Sequence, residues 1–225
     1  VFRVAKAFFC RLGSSHGINI EIEKHIPMSA GMAGGSADGA ATLEALNEIF
    51  GFPFSTDELI DIGKDVGADI PFCIVGGTKI ISGIGEMIES CAEMPDCYIV
   101  CAKHNFGAVS TPQAYKLLDD KYDGFYERCY NSNSFEAMIS ALENQSIDGV
   151  CGTVYNIFEE VVAAEQSSVN KLKKIMRSNG AEVALMSGSG PSVFGIFKSL
   201  EKAEKANAAL EACGAKSKVC RPISK

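Results

Sequence analysis

Residues Pro27-Met28-Ser29-Ala30-Gly31-Met32-Ala33-Gly34-Gly35-Ser36-Ala37-Asp38 form a run with few bulky side chains, and residues 39–50 behind it read as an amphipathic helix. A run of this kind emptying into a helix start suits an anion. The first turn of a helix leaves about four N–H groups without intrahelical partners, and the macrodipole adds roughly half a positive charge there. Gly31, Gly34 and Gly35 let the main chain approach a phosphate with no Cβ in the way. Ser36 is suited to cap the helix or to ligate a phosphate, and Ala37, Gly39, Ala40 and Ala41 permit close packing around the first turn. Taken alone, the turn could equally be an ordinary loop. It is not a P-loop, because no Lys follows the glycines. Nor is it a dinucleotide fingerprint, because G-x-G-x-x-G is missing together with the β-α-β unit and its ribose-binding acid.

The rest of the chain reads as alternating helices and short strands. Residues 1–12 carry an apolar stripe at Val1, Val4, Ala5, Phe8, Phe9 and Leu12, which predicts a helix. The chain opens on Val inside that packed helix, so preceding sequence is expected. Residues 18–23 alternate apolar and polar and predict a half-exposed strand. Ser55 with Glu58 forms a capping box for a helix over 56–66 that Gly67 ends. Gly67-Ala68-Asp69-Ile70-Pro71-Phe72 then reads as a stop, Pro71 opposing regular helix through Ile70. Residues 76–86 predict a turn, a strand and a second turn. Met94-Pro95-Asp96 divides the chain into domains of residues 1–94 and 95–225. In the second, a strand over 97–101 precedes helices over 110–119, 135–144, 153–166 and 169–177. Strands over 183–186 and 193–197 flank the turn 187–191, and a helix over 200–212 leads to a strand over 215–219. That order suits a ferredoxin-like α+β layer.

Charge narrows the ligand. The 225 residues carry a formal net charge of −7, which argues against a nucleic acid held by its phosphates. An acidic chain that binds phosphate must use local backbone dipoles, usually with a metal to offset the charge. No apolar run is long enough for a membrane span, and no secretory signal opens the chain. The nine cysteines are odd in number and form no C-x-x-C pair, so they read as free thiols of a reducing cytoplasm. His16, His25 and His104 are scattered and are not read as ligands.

Four ordered motifs converge on one family. The glycine run 27–38, the Gly67-Ala-Asp-Ile-Pro-Phe72 loop, Gly83-Ile-Gly-Glu86 and Met186-Ser-Gly-Ser-Gly-Pro191 together resemble the signature of the GHMP kinase superfamily, over essentially the whole chain. The resemblance implies an α+β, two-domain fold. Its N-terminal domain would be ribosomal protein S5 domain 2-like with the first strands missing, and its C-terminal domain ferredoxin-like. The branch it points to acts on 4-diphosphocytidyl-2-C-methyl-D-erythritol in non-mevalonate isoprenoid synthesis. By that resemblance, ATP gives its γ-phosphate to the 2-hydroxyl, residues 27–37 cradle the triphosphate, and Mg2+ bridges its oxygens through ligands the sequence does not mark. Asp69 is implied as the base for a tertiary alcohol, although by itself it reads as an exposed turn residue. Tyr115 is implied to stack on the cytosine, against a reading as helix-face core. Gly188, Ser189 and Gly190 shape the phosphate or substrate end, or form a plain hairpin turn, and Thr111 joins them on the substrate side.

The family also carries an early strand with a K-x-N segment, whose Lys helps position the acceptor. No such segment stands in these residues, and weak or no activity is expected of this segment alone. Homoserine or mevalonate kinase within the superfamily, and a nucleotide-binding remnant outside catalysis, are the competing readings. Homodimerisation is left open.

Overall fold

Two hydrophobic cores gather in the described residues, one in each of two contiguous sets of contacts. The computed structural model describes residues 1–28, 30–85, 87–104, 110–123, 132–163 and 166–224. The first unit takes in Val1–Met28, Ala33–Cys91 and the C-terminal residues from Ile223; the second takes in residues 30–32 and Ala92–Pro222.

In the first unit, α1 (Phe2–Leu12), α2 (Gly34–Ile49), α3 (Thr56–Lys64) and α4 (Ile70–Val75) precede the hairpin β1 (Lys79–Ser82) and β2 (Met87–Ser90). The stripe read on α1 is the buried one: Val4, Ala5, Phe8 and Phe9 pack with Leu43, Leu46, Ile62, Ile70 and Ile74. Phe8 meets Phe9 and Phe54 edge-on, with ring centroids 5.7 and 5.2 Å away. The capping box is present, Glu58 N–H donating to Ser55 Oγ at 3.4 Å and Ser55 N–H to Glu58 Oε2 at 2.9 Å.

Three expectations change here. Helix α2 begins at Gly34, so its cap is Ala33 in the left-handed region (φ 47°), and Ser36 lies inside the first turn. The expected stop is present, since α3 ends at Lys64, but Pro71 then lies in the first turn of a new short helix opening at Ile70, where its missing N–H costs no bond. Residues 18–23 are not a strand. Ile18, Ile20 and Ile22 are exposed, and among the described residues no ladder partner lies beside them; alternation without a partner does not make a strand.

The second unit contains β3 (Tyr98–His104), α5 (Thr111–Tyr122), α6 (Ser132–Glu143), α7 (Ile147–Thr153), a 3-10 turn (Ile157–Glu160), α8 (Ser167–Ser178), β4 (Val183–Met186), β5 (Val193–Phe197), α9 (Leu200–Ala212) and β6 (Ala215–Cys220). The sheet order is β4-β5-β3-β6, antiparallel at every pairing. With α8 and α9 as the crossing helices, this is the ferredoxin-like β-α-β-β-α-β arrangement. Val100, at the centre of β3, faces Gly195 on one side and Val219 on the other. Leu172, Met176, Ala203, Ala206 and Leu210 of the two helices cover Val100, Val193 and Phe197.

The helix expected over 153–166 does not form. Helix α7 ends at Thr153, and Asn156 is extended (φ −136°, ψ 110°) with its side chain accepting the Phe158 N–H. Asn offers its backbone this local alternative to a helical bond. Residues 164 and 165 of that stretch lie outside the described residues. No helix among the described residues is long and apolar enough to cross a membrane, and no disulfide joins two of the described cysteines.

Candidate active site

The first unit builds a bare helix start. Ala37 N–H is the first to reach a helical carbonyl, Ala33 O at 2.9 Å, and no side chain caps α2. The amides of Gly34, Gly35 and Ser36 are therefore the first-turn donors left for a ligand. A Cβ added at Gly35 would meet nothing within 4 Å, whereas one at Gly34 would lie 2.7 Å from Ile26 Cγ2. Gly34 is thus small for packing, and Gly35 leaves open space above the helix start. Lys24, unmarked by any sequence pattern, reaches this turn: its Nζ donates to Asp38 Oδ2 at 2.5 Å and to Gly34 O at 3.1 Å. Among the other residues of the run, Pro27 is half-buried, Met28 is exposed, and Ser29 lies outside the described residues.

Asp69 stands at the N-cap position of α4, exposed, and its carboxylate does not cap the helix. The residue after it is fixed by close packing: a Cβ at Gly39 or Gly63 would lie 3.1 or 2.7 Å from Ile70 side-chain atoms. Ile70 thereby seats the Asp69 loop against α2. A cleft of about 360 Å3 is lined by Gly35 and Ser36 of α2, by the start of α1, and by Gly67 and Ile70, which bracket Asp69 in the chain. Gly85 backs onto Ala68, 3.4 Å from where its Cβ would stand, so the Gly83-Ile-Gly turn supports the same loop; Glu86 lies outside the described residues. A larger hollow of about 700 Å3 runs along α1 past Phe2, Phe9 and Ile18, and no residue of the glycine run lines it.

The second unit fixes the earlier part of the run. Ala30 is buried, and its carbonyl accepts from Ser192 N–H at 3.3 Å. Gly31 (φ 67°) presses so close to the 187–190 turn that a Cβ would sit 2.1 Å from Ser187 O. Ser187 Oγ donates to Gly31 O at 2.8 Å. Gly188 and Gly190 also have positive φ, 53° and 77°. Met32 follows Gly31 half-buried. The turn is therefore more than a hairpin connection, since it grips the glycine run.

Thr111 opens α5 under the Ser110 cap, and its hydroxyl lies 3.0 Å from Ser189 Oγ. Tyr115, one helical turn later on the same face, is 54% exposed and so is not a core residue. Phe158 meets its ring edge-on at 5.1 Å. Sequence reading missed the segment behind these groups. Asn156 holds two carbonyls of the turn, Met186 O at 2.7 Å and Gly188 O at 2.9 Å. Glu159 accepts from Met186 N–H at 2.6 Å and pairs with Lys173 at 2.6 Å. Glu160 accepts from Lys121 at 2.7 Å and from the hydroxyls of Tyr122 and Tyr155. These bonds, Lys121 first, hold its carboxyl down at about 2. An Asn ahead of a helix-like stretch is a capping signal, and it was the one clue available.

Residues 1–77 match the family model described as GHMP kinases N terminal domain, and residues 134–216 match GHMP kinases C terminal. The chain belongs to the GHMP kinase family. A Caldicellulosiruptor bescii protein named 4-diphosphocytidyl-2-C-methyl-D-erythritol kinase is 42% identical over 196 residues, covering 87% of this chain and 66% of that protein. A Staphylococcus aureus protein with a provisional form of that name is 39% identical over 214 residues, covering 94% of this chain and 72% of that protein. The crystal structure of a 4-(cytidine 5'-diphospho)-2C-methyl-D-erythritol kinase aligns with a TM-score of 0.75 at 26% identity, over 99% of this chain and 78% of that one. The chain thus spans about two thirds of the length of its first relative.

Proposed function

We propose that the protein is an ATP-dependent kinase that phosphorylates the 2-hydroxyl of 4-diphosphocytidyl-2-C-methyl-D-erythritol, in the cytoplasm. The observation that carries the reading is the bare first turn of α2, with open space over Gly35 and the Asp69 loop along the same cleft. Phosphoryl transfer asks a protein mainly for positioning and charge stabilisation. The amides of Gly34, Gly35 and Ser36 and the dipole of α2 receive the triphosphate, with residues 27–33 and Ala37 completing the cradle. Asp69 takes the proton of the acceptor hydroxyl as that oxygen bonds to the γ-phosphorus, and ADP leaves with the electrons of the broken P–O bond. Tyr115 offers its exposed face to the cytosine, and Thr111 with Gly188, Ser189 and Gly190 lines the substrate side.

Mg2+ would arrive with the nucleotide, on its phosphate oxygens. Among the described residues no group of three or more His, Cys, Asp or Glu forms a cage, and Mg2+ needs none. It keeps waters and binds through one or two carboxylates plus phosphate oxygens, where it offsets charge. Residues 1–94 would form the ATP-binding domain and 95–225 the C-terminal one.

The relatives' names support the cytidyl substrate over homoserine or mevalonate. A phosphate-transfer panel over the three alcohols tests that choice, with product expected from the cytidyl substrate alone. Calorimetry with MgATP should show Asp69→Asn binding nucleotide like the wild type while turnover falls by about 100-fold or more. Nucleotide binding with no turnover in either form, measured in a protein that also carries the family's K-x-N strand, would mark a binding module instead.

A further inference from the structure

The 187–190 turn grips Gly31, and two of the carbonyls at its start are held by one side-chain amide. Asn156 Nδ2 spends its two hydrogens on Met186 O and Gly188 O. Its Oδ1 accepts the Phe158 N–H at 3.0 Å, which fixes the amide's orientation, because the oxygen faces an N–H and the nitrogen faces two carbonyls. No other side chain of this size can serve all three partners: Asp would turn an acceptor toward two acceptors, and Leu would leave both carbonyls without a donor. The chain of contacts continues outward. Met186 N–H is held by Glu159, Ser187 Oγ reaches Gly31 O, and Ser192 N–H reaches Ala30 O.

We infer that Asn156 is a positioning residue for phosphoryl transfer: its side-chain amide sets the 187–190 turn, and through the Ser187 hydroxyl the turn sets the Ala30–Met32 stretch of the anion-binding run. The inference rests on the kinase reading above. Asn156 itself contacts no reactant; it acts on nucleotide binding through the carbonyls it holds.

The test compares wild type, Asn156→Asp, Ser187→Ala and the double variant of the full chain, using amide hydrogen exchange and MgATP calorimetry. Asn156→Asp should speed exchange at the Ser187, Gly190 and Ser192 amides while α9 and β6 keep wild-type rates. MgATP affinity should fall tenfold or more, as expected when the donors to both the Met186 and the Gly188 carbonyls are lost. Lowering the pH from about 8 to about 5 should return part of that affinity, measured against wild type at each pH, because a protonated Asp regains one donor hydrogen. Ser187→Ala, which removes only the bond from turn to loop, should lose affinity with the fold intact. The double variant should lose little more than either single one, since the two act in series. If Asn156→Asp unfolds, Ser187→Ala alone decides, and wild-type affinity there overturns the inference. Wild-type MgATP affinity in Asn156→Asp overturns it while leaving the kinase reading standing, whereas no MgATP binding by the wild type overturns both.

Discussion

Gly31 and Gly35 sit in one run and are glycines for opposite reasons. A side chain at Gly31 would collide with the Ser187 carbonyl, and its φ of 67° is in the left-handed region. A side chain at Gly35, inside the first turn of α2, would meet open space. The two substitutions should therefore separate stability from binding. Gly35→Ala should raise stability by about 0.5–1 kcal/mol, the usual gain for Ala over Gly in a helix, and lower MgATP affinity tenfold or more by standing where a phosphate approaches. Gly31→Ala should cost at least about 1–3 kcal/mol from backbone strain and overlap. Thermal denaturation with calorimetry on the same samples checks both; if Gly35→Ala binds nucleotide like the wild type, Gly34 to Ser36 are not the cradle. Sequence alone shows that the run is glycine-rich, but not which glycine serves packing, which serves a close approach and which leaves room for a ligand. That division depends on packing partners such as Ile26, just ahead of the run, and Ser187, far from it along the chain.

Among the elements, the 3-10 turn Ile157–Glu160 ties α5 to the rest of its unit through charge. Lys121, Tyr122 and Tyr155 hold the Glu160 carboxyl from its ordinary 4.5 down to about 2. A folded-state pKa below the unfolded one adds stability that is present above about 4.5 and is lost as pH falls toward about 2. Glu160→Gln should therefore be less stable than wild type at neutral pH, with the gap narrowing below 4.5 and closing near 2. Urea midpoints at a series of pH values test this, and a gap that widens in acid would contradict the assignment. This turn is also where sequence reading failed, by extending a helix through Asn156. The helix read over 153–166 ran across Ile157, Phe158, Val161 and Val162, which are buried or half-buried outside any helix of that length; periodicity describes local spacing alone. It could not report that Asn156 spends its side chain on a distant turn. The strand read over 18–23 failed for a related reason, since alternation describes one strand and says nothing of its partner.

Across the whole molecule, the helix stripe on α1, the capping box of α3 and the order of elements behind the β4-β5-β3-β6 sheet were legible, because each is written in local spacing. The four family motifs were legible as a set, and the chain's place among GHMP kinases follows from them and from its relatives. The links from Asn156 and Ser187 to the glycine run were not, because each joins residues far apart in sequence. Each unit carries its own core, centred on Phe8 in the first and Phe197 in the second. Phe8→Ala and Phe197→Ala should each cost about 3–5 kcal/mol. Native-state hydrogen exchange should place the loss mainly in the unit that carries the substitution, and an even loss over both would show that they melt as one. The bond between Ser187 and Gly31 spans 156 positions, and this has a consequence for biosynthesis. A ribosome adding roughly 5–20 residues per second needs on the order of 10–30 s to deliver the later partner after the earlier one. Through that interval the nascent chain displays its glycines without the turn that shapes them. A nucleotide bound as proposed would therefore reward the finished fold by mass action, without guiding the early steps of reaching it.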